Sequence, residues 1–185
     1  IIGLMFGSIT AAIVSVLSYF STAEQLQQYI FWGFGSLGDL DWNEVTLFLI
    51  LYSLGLVFTI ASIKALNTLL LGDNYAKSLG INLKRSRLII ILATSLLAGT
   101  ITAFAGPIAF IGLAIPHVTR QLFKTSNHQV LIPAVLLIGA IIMLICDCIA
   151  QLPNSEYTLP INAITALIGA PVVIWLLVRQ RKMIF

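Results

Sequence analysis

Histidine, cysteine and carboxylate side chains are the residues of this chain that could bind a metal or move a proton. The chain has two histidines, His117 and His128, and two cysteines, Cys146 and Cys148, which lie two residues apart in an apolar run. A zinc site needs three or four converging ligands, and cysteines at this helical spacing do not form an ordinary disulfide. We interpret both cysteines as small buried thiols, His117 as a residue that shapes a helix end, and His128 as a solvated loop residue. The sequence has no paired carboxylates, no Ser/His/Asp set and no glycine-rich phosphate loop, so we predict no catalytic residues and no metal site.

The composition indicates a membrane protein. Charged residues make up 9% of the 185 residues, whereas a soluble domain has about 25%, and hydrophobic residues make up 59%. We therefore predict an all-α fold, a polytopic membrane helix bundle. The net charge of +3 comes from basic residues at helix ends, and no nucleic-acid-reading module accompanies it, so we predict no nucleic-acid partner.

The charges assign the two sides of the membrane. All ten Lys and Arg residues lie in three clusters, at 64–87, 120–124 and 179–182, while five of the seven acids lie in the other gaps between apolar stretches. Basic loops stay in the cytoplasm because their translocation is unfavourable. We predict that the three clusters and the C-terminus are cytoplasmic and that the acidic gaps face the outside.

The uncharged stretch 88–118 decides the number of spans. As one helix it would be about 46 Å long, too long for one crossing of a hydrocarbon core about 30 Å thick. Arg87 and Arg120 belong on the same side, so the stretch must fold back. Gly106 and Pro107 are the strong helix breakers near its middle.

Six spans follow from this arrangement, in a single transmembrane domain 1–185 with a cytoplasmic loop at 64–87. We expect an amphipathic segment within 21–43 on the outer surface and a turn at 153–156 that caps the fifth span outside. The predicted spans are about 1–20, 44–63, 88–105, 107–119, 130–152 and 159–178.

Three residues are candidates for a translocation path. Asp147 lies near the outer end of the fifth span, where an ionisable side chain costs a few kcal/mol unless it is paired or hydrated. A hydrogen bond within the bundle and a place on the path are both open interpretations. Gly3 and Ser8 on the first span could line the path, and packing against another helix explains them equally well.

The segment 71–82 predicts a short amphipathic helix outside the bilayer. Asp73 or Asn74 can cap its N-terminus, and Gly80 suits the left-handed position that ends a helix. The predicted apolar face consists of Tyr75, Ala76 and Leu79. A rigid helix that docks in a partner's groove and an interfacial connector without a partner are equally good interpretations.

Four motifs of this chain resemble the FecCD-type permeases, the membrane subunits of bacterial ABC importers for iron-siderophore complexes, haem and vitamin B12. They are GDNYAKSLGI at 72–81, AGPIAFIGLAIPHVTR at 105–120, NHQVLIP at 127–133 and LPINAITALIGAPVVIWLL at 159–177. The resemblance covers essentially the whole chain, in order. Members have about ten spans, so the chain resembles their C-terminal six.

The resemblance implies that the chain is a transport subunit in the bacterial cytoplasmic membrane, surrounded by membrane lipid. It also implies that the chain is not itself an enzyme. The implied partners are ABC ATPase subunits, a second permease subunit and a periplasmic or lipid-anchored substrate-binding protein. The resemblance also implies that no cofactor binds the chain directly, because ATP is hydrolysed by the ATPase partner. The implied cargo is a metal chelate, with an iron-siderophore complex favoured and haem or vitamin B12 as alternatives. An ion-coupled secondary transporter is a weaker alternative, because it would place ionisable groups near the bilayer midplane.

The resemblance also assigns residues. Its ATPase-docking loop corresponds to Asp73, Tyr75, Ala76, Leu79 and Gly80. Its structural motif positions correspond to Gly106, Gly112, Pro116, His117, Arg120, Pro160, Gly169 and Pro171.

The chain departs from the family pattern near the outer ends of the last two spans. Gln151 replaces an Arg four residues after Asp147, Thr158 replaces a Glu, and Asn162 replaces a Gly. A binding protein usually presents acidic lobes to that Arg, so the usual docking salt bridge is in doubt.

Overall fold

The computed structural model describes residues 2–38, 40–151 and 158–181; the predicted turn at 153–156 lies outside these ranges. Within them the chain forms eight α-helices and no strand, which confirms the all-α prediction. The helices are α1 (Ile2–Phe20), α2 (Ala23–Phe34), α3 (Trp42–Leu69), α4 (Asp73–Ser78), α5 (Leu83–Ala105), α6 (Ile111–Phe123), α7 (His128–Ala150) and α8 (Ile161–Arg181).

Four of these helices, α1, α3, α5 and α7, are long and apolar enough to cross a membrane. The apolar part of α8, Ile161–Trp175, is shorter, and α6 has 13 residues, which makes it about 20 Å long. An isolated helix of that length does not cross the hydrocarbon core. Six complete crossings therefore stay a prediction.

The helices around α4 are longer than the predicted spans. The sequence predicts a loop from 64 to 87, but α3 continues to Leu69 and α5 begins at Leu83, with the Asn82 side chain accepting the Arg85 N–H at 3.1 Å. Basic residues mark where a span leaves the bilayer, but Lys and Arg are good helix formers and do not end a helix. The non-helical connections are consequently short.

The bend between α5 and α6 begins at Gly106, where the sequence predicts it, and extends to Phe110 rather than ending at Pro107. Gly106 has φ +78°, and Phe110 has φ +64°, a left-handed conformation that is uncommon for a residue with a side chain. The bend therefore takes five residues, and α6 begins at Ile111.

The helices pack as a pair and a trio. The pair is α3 and α5, which touch along their lengths; a Cβ on Gly55 of α3 would lie 2.6 Å from Leu97 Cδ2 of α5, so glycine permits their close approach. The trio is α6, α7 and α8, with a small core of Cys146, Ala150 and Ile164 between α7 and α8. Most of α1 remains exposed.

Each end of the bundle is named after the helix that lies there, α4 or α2. The α4 end comprises the end of α3, the helix α4, the start of α5 and the α6–α7 turn. The α2 end comprises α2 with residues 35–38, the α5–α6 bend, the end of α7 and the start of α8.

Candidate functional site

The helix α4 is a short, well-defined element at the α4 end. It begins after Gly72, which has φ +96° and is the N-cap residue, so the prediction that Asp73 or Asn74 caps the helix is wrong. The positive φ of Gly72 turns the chain abruptly and makes Asp73 the first helical residue. The prediction that Gly80 takes the left-handed position after the helix end is confirmed, because Gly80 follows the C-cap residue Leu79 and has φ +79°.

Two backbone hydrogen bonds complete this helix end. The Ile81 N–H donates to the Ala76 carbonyl at 3.1 Å, and the Gly80 N–H donates to the Lys77 carbonyl at 2.9 Å. This pattern satisfies carbonyls that a helix end would otherwise leave free. The six-residue helix is therefore held at its C-terminus by backbone geometry.

The predicted apolar face of α4 is divided. Ala76 is completely buried against this chain, whereas Tyr75 is 54% and Leu79 58% exposed. Neighbouring positions on a helix lie about 100° apart, so Tyr75 and Ala76 point in different directions. Ala76 thus anchors α4 to its own bundle and is not available to a partner, contrary to the docking prediction for that residue. The exposed apolar residues, called the α4 surface below, are Leu70, Leu71, Tyr75 and Leu79.

An ion pair fixes the first residue of α4. Arg87 Nη2 of α5 lies 2.5 Å from Asp73 Oδ2, and both side chains are about half-exposed. The carboxylate of Asp73 is directed to its own chain. Asp73 therefore positions α4 against α5.

The α2 end contains a cavity of about 750 Å³. The end of α2, the loop 35–38, the end of α7 and the start of α8 line it. Asp147 lies on its wall, where its Oδ2 accepts a hydrogen bond from Gln151 Nε2 at 2.7 Å. Gln151, which departs from the family pattern, is thus the partner of Asp147.

The α5–α6 bend touches the end of α2 closely. A Cβ on Gly106 would overlap the Trp32 carbonyl oxygen and lie 2.9 Å from Gly35 Cα, so no larger residue fits. The Ser36 N–H donates to the Ala105 carbonyl at 3.1 Å. Trp32 Nε1 also donates to the Thr102 carbonyl at 3.2 Å. These contacts hold α2 and its loop on the end of α5.

Asn162 links three segments at the α2 end. Its Oδ1 accepts the Ala109 N–H at 3.1 Å, and its Nδ2 lies 3.5 Å from the Gly33 carbonyl oxygen. The side chain thereby connects the start of α8 to the α5–α6 bend and to α2. The sequence shows Asn162 only as a departure from a family motif, and its bridging role depends on contacts far apart along the chain.

Comparisons with known proteins agree with this arrangement. A sequence profile described as the FecCD transport family matches residues 1–179. The chain belongs to the FecCD transport family. The curated relatives include vitamin B12 import system permease proteins BtuC from Citrobacter koseri, 39% identical over 180 residues, and from Klebsiella pneumoniae, 41% identical over 179 residues. Each match covers 97% of this chain and 54% of the relative, so the chain spans about half their length.

A solved structure is also similar to this FecCD chain. It is described as an inward-facing conformation of a protein assigned to the metal-chelate type of ABC transporter. The TM-score is 0.82 at 34% sequence identity, with 95% of this chain and 58% of that chain covered. The similarity confirms the predicted permease fold.

Some motif residues of the FecCD chain are closely packed, and others have open space around them. A Cβ on Gly169 of α8 would lie 2.6 Å from Phe110 Cβ, so this glycine allows the left-handed Phe110 to pack on α8. Pro160 precedes α8, and its carbonyl accepts the Ala163 N–H at 3.1 Å. Gly112, by contrast, has open space around it, because a Cβ there would meet no atom within 4 Å.

The other motif residues lie on α6 and α8. Pro116 and Pro171 are inside these helices, where each removes a backbone N–H from the helical ladder. His117 Nδ1 lies 3.0 Å from the Leu113 carbonyl oxygen one turn earlier, and Arg120 is exposed in the last turn of α6. The role of His117 in shaping a helix end stays a prediction.

The three path candidates do not share one surface. Asp147 lines the α2-end cavity, which Gly3 and Ser8 of α1 do not line. Gly3 has open space around it, and Ser8 Oγ donates to the Leu4 carbonyl at 3.0 Å. Among the described residues, no group of three or more His, Cys, Asp or Glu side chains could hold a metal ion.

Proposed function

We propose that this chain forms part of the permease subunit of an ABC importer in the bacterial cytoplasmic membrane, and that α4 docks on the ATP-hydrolysing partner. The α4 surface carries the proposal. Four large apolar side chains, each more than half-exposed, lie on or next to a six-residue helix whose C-terminus is fixed by backbone hydrogen bonds. Such a surface suits a groove on another protein, since it loses little conformational entropy on binding.

The α4 surface is well placed to transmit force. Asp73 is paired with Arg87, and Ala76 is buried, so α4 is attached to its own bundle on two sides. Movement of α4 would carry the ends of α3 and α5 with it, because these helices adjoin it in the chain and pack on each other. Nucleotide binding to the partner would then favour one of two permease conformations through differential contacts.

The proposed orientation places the α4 end in the cytoplasm. The basic residues of 64–87 and the pair Arg120 and Lys124 gather at this end. Of the acids, Glu24 lies on α2, and Asp41 and Glu44 lie at the start of α3, opposite the end of α3 that leads to α4. Basic residues favour the cytoplasmic side. The C-terminus of α8 would be cytoplasmic as well, and a substrate-binding protein would dock on the α2 end.

A metal chelate is the proposed cargo, carried between two permease subunits of this kind. Ferric siderophores remain the class suggested by the resemblance. Vitamin B12, itself a cobalt chelate, is the second candidate, because the curated relatives of this chain are named for its import. Parallel uptake assays with a ferric siderophore and cyanocobalamin in cells lacking their own permeases distinguish these two cargoes.

Replacement of Leu79 by Asp in the full-length permease tests the docking proposal. Leu79 is 58% exposed, so the change should leave the permease folded while placing a charge where an apolar contact is proposed. We expect the ATPase subunit to be lost on co-purification and uptake to fall by at least about tenfold, as for removal of a buried interface anchor.

The matched control is Ser126→Asp, which adds the same charge at an exposed position of the same end. This variant should retain the ATPase and uptake. Normal ATPase association in the Leu79→Asp variant would exclude α4 as the docking element.

A further inference from the structure

A cluster of three polar side chains joins the helix pair to the helix trio at the α4 end. Asn67 Nδ2 of α3 donates to Asn127 Oδ1 at 2.9 Å. Asn67 Oδ1 accepts the backbone N–H of His128 at 2.8 Å and lies 2.8 Å from His128 Nδ1. The cluster is named the Asn67 clasp.

The expectation that His128 is a solvated loop residue is wrong. His128 is the first residue of α7 and is half-buried against Asn67. The ring is directed to a carboxamide on another helix, 61 residues away in the sequence. Its environment is therefore set by the contact between α3 and α7.

Both sides of the clasp are fixed locally. Asn127 is the N-cap residue of α7, and its Oδ1 also accepts the Gln129 N–H at 3.0 Å. Asn67 lies two residues before the last residue of α3, close to the turn that leads into α4. Each polar atom of the Asn67 side chain has a partner on the α6–α7 turn or the start of α7, so the side chain is held in one orientation.

The position of the clasp matters because α4 is connected along the chain to α3 and α5. The pair α3 and α5 would follow α4 directly, whereas the trio α6, α7 and α8 has no chain connection to α4 except through the whole length of α5. A hydrogen-bonded junction at the end of α3 provides a shorter route. This junction contacts α7 from a position on α3 only a few residues before α4, the helix that would receive the force.

We propose that Asn67 is a positioning residue that couples α4 to α7. On this inference, which rests on the proposed docking of α4, the clasp makes the end of α3 and the start of α7 move together when the ATPase displaces α4. The displacement then reaches the helix that carries Asp147 at its other end. Loss of the clasp leaves ATP hydrolysis and docking in place but reduces the transport obtained from them.

The experiment uses the complete transporter in lipid vesicles, with its ATPase and binding protein. It measures cargo transported per ATP hydrolysed, with cyanocobalamin or a ferric siderophore as the probe that the wild-type transporter accepts. For Asn67→Ala we expect this ratio to fall about threefold to tenfold, with ATPase association unchanged. The control Gln129→Ala removes an exposed amide side chain two residues from Asn127 and should leave the ratio unchanged.

Two variants of Asn127 separate coupling from helix capping. Asn127→Asp retains the acceptor for Asn67 Nδ2 and for the Gln129 N–H, so its ratio should equal that of the wild type. Asn127→Ser retains a good N-cap residue but is too short to accept from Asn67 Nδ2. Its ratio should therefore fall, but by less than in Asn67→Ala, because the His128 N–H still donates to Asn67 Oδ1. The pair also decides the matter if Asn67→Ala fails to fold.

A normal ratio in Asn127→Ser, or equal losses in Asn127→Ser and Asn127→Asp, would overturn the inference. Its failure differs from failure of the proposed function. If α4 does not dock, Leu79→Asp retains the ATPase. If α4 docks but the clasp does not couple, Leu79→Asp loses the ATPase while Asn67→Ala and Asn127→Ser keep the wild-type transport per ATP.

Discussion

Arg87 of α5 holds Asp73, the first residue of α4, through an ion pair of 2.5 Å between Nη2 and Oδ2. This contact crosses the connection that the sequence presents as a loop, and it turns a proposed partner-binding carboxylate toward its own chain. The proposed docking element is therefore α4 together with the start of α5. Its orientation depends on a side chain outside the motif that the sequence identifies.

Replacement of Arg87 by Ala should weaken ATPase association modestly. Both partners are about half-exposed, and such pairs contribute no more than about 1 kcal/mol, which corresponds to about fivefold in affinity. Titration of the purified permease with its ATPase measures the change. The matched control is Arg85→Ala, two residues earlier on α5; equal effects of the two changes would show that charge, and not the pair, matters.

Replacement of Gly106 by Ala should destabilise the permease by about 2 kcal/mol or more. The residue has φ +78°, and a Cβ would overlap the Trp32 carbonyl oxygen of α2, so both conformation and space oppose a side chain. Thermal unfolding in detergent measures the effect. Gly112→Ala is the control, because open space surrounds that position and alanine favours a helix over glycine by up to about 1 kcal/mol. A similar loss of stability in both variants would show that the contact with Trp32 does not require glycine at position 106.

Replacement of Asn162 by Ala should cost about 1–3 kcal/mol of unfolding free energy, because the Ala109 N–H loses its acceptor in a partly buried site. The 3.5 Å contact with the Gly33 carbonyl is long and contributes less. Asn162→Asp retains the acceptor for Ala109, so it should lose less stability. Equal unfolding temperatures of the alanine and wild-type proteins would exclude a structural role for this bridge.

Local patterns in the sequence predict much of the fold, and long-range contacts account for what they miss. Gly80 and Gly106 are identifiable because each lies where a helix must end, and a left-handed backbone there favours glycine. The burial of Ala76 is not identifiable, since helical spacing defines a face but not which neighbour covers it.

The Asn67 clasp at the α4 end also depends on a contact that local sequence patterns do not encode. Asn127 before an apolar run is a recognisable N-cap signal, and the structure uses it in that way. Its second contact, to Asn67, joins residues 60 positions apart, and no local pattern encodes such a pairing. The sequence misplaces His128 in solvent for that reason, because its partner belongs to a different helix.

For Asp147 the sequence leaves two interpretations open, a structural hydrogen bond and a place on the translocation path. Its carboxylate accepts a hydrogen bond from Gln151 at 2.7 Å, close to the C-terminus of α7, where a negative charge is unfavourable. Asparagine can accept the same bond without the charge. We therefore expect Asp147→Asn to keep the unfolding temperature and to keep uptake within about twofold of the wild type, since the bond itself contributes only about 1 kcal/mol. Asp147→Ala, which removes the acceptor, should lower the unfolding temperature. A large loss of uptake in Asp147→Asn with an unchanged unfolding temperature would instead indicate that the charge acts on the cargo in the α2-end cavity.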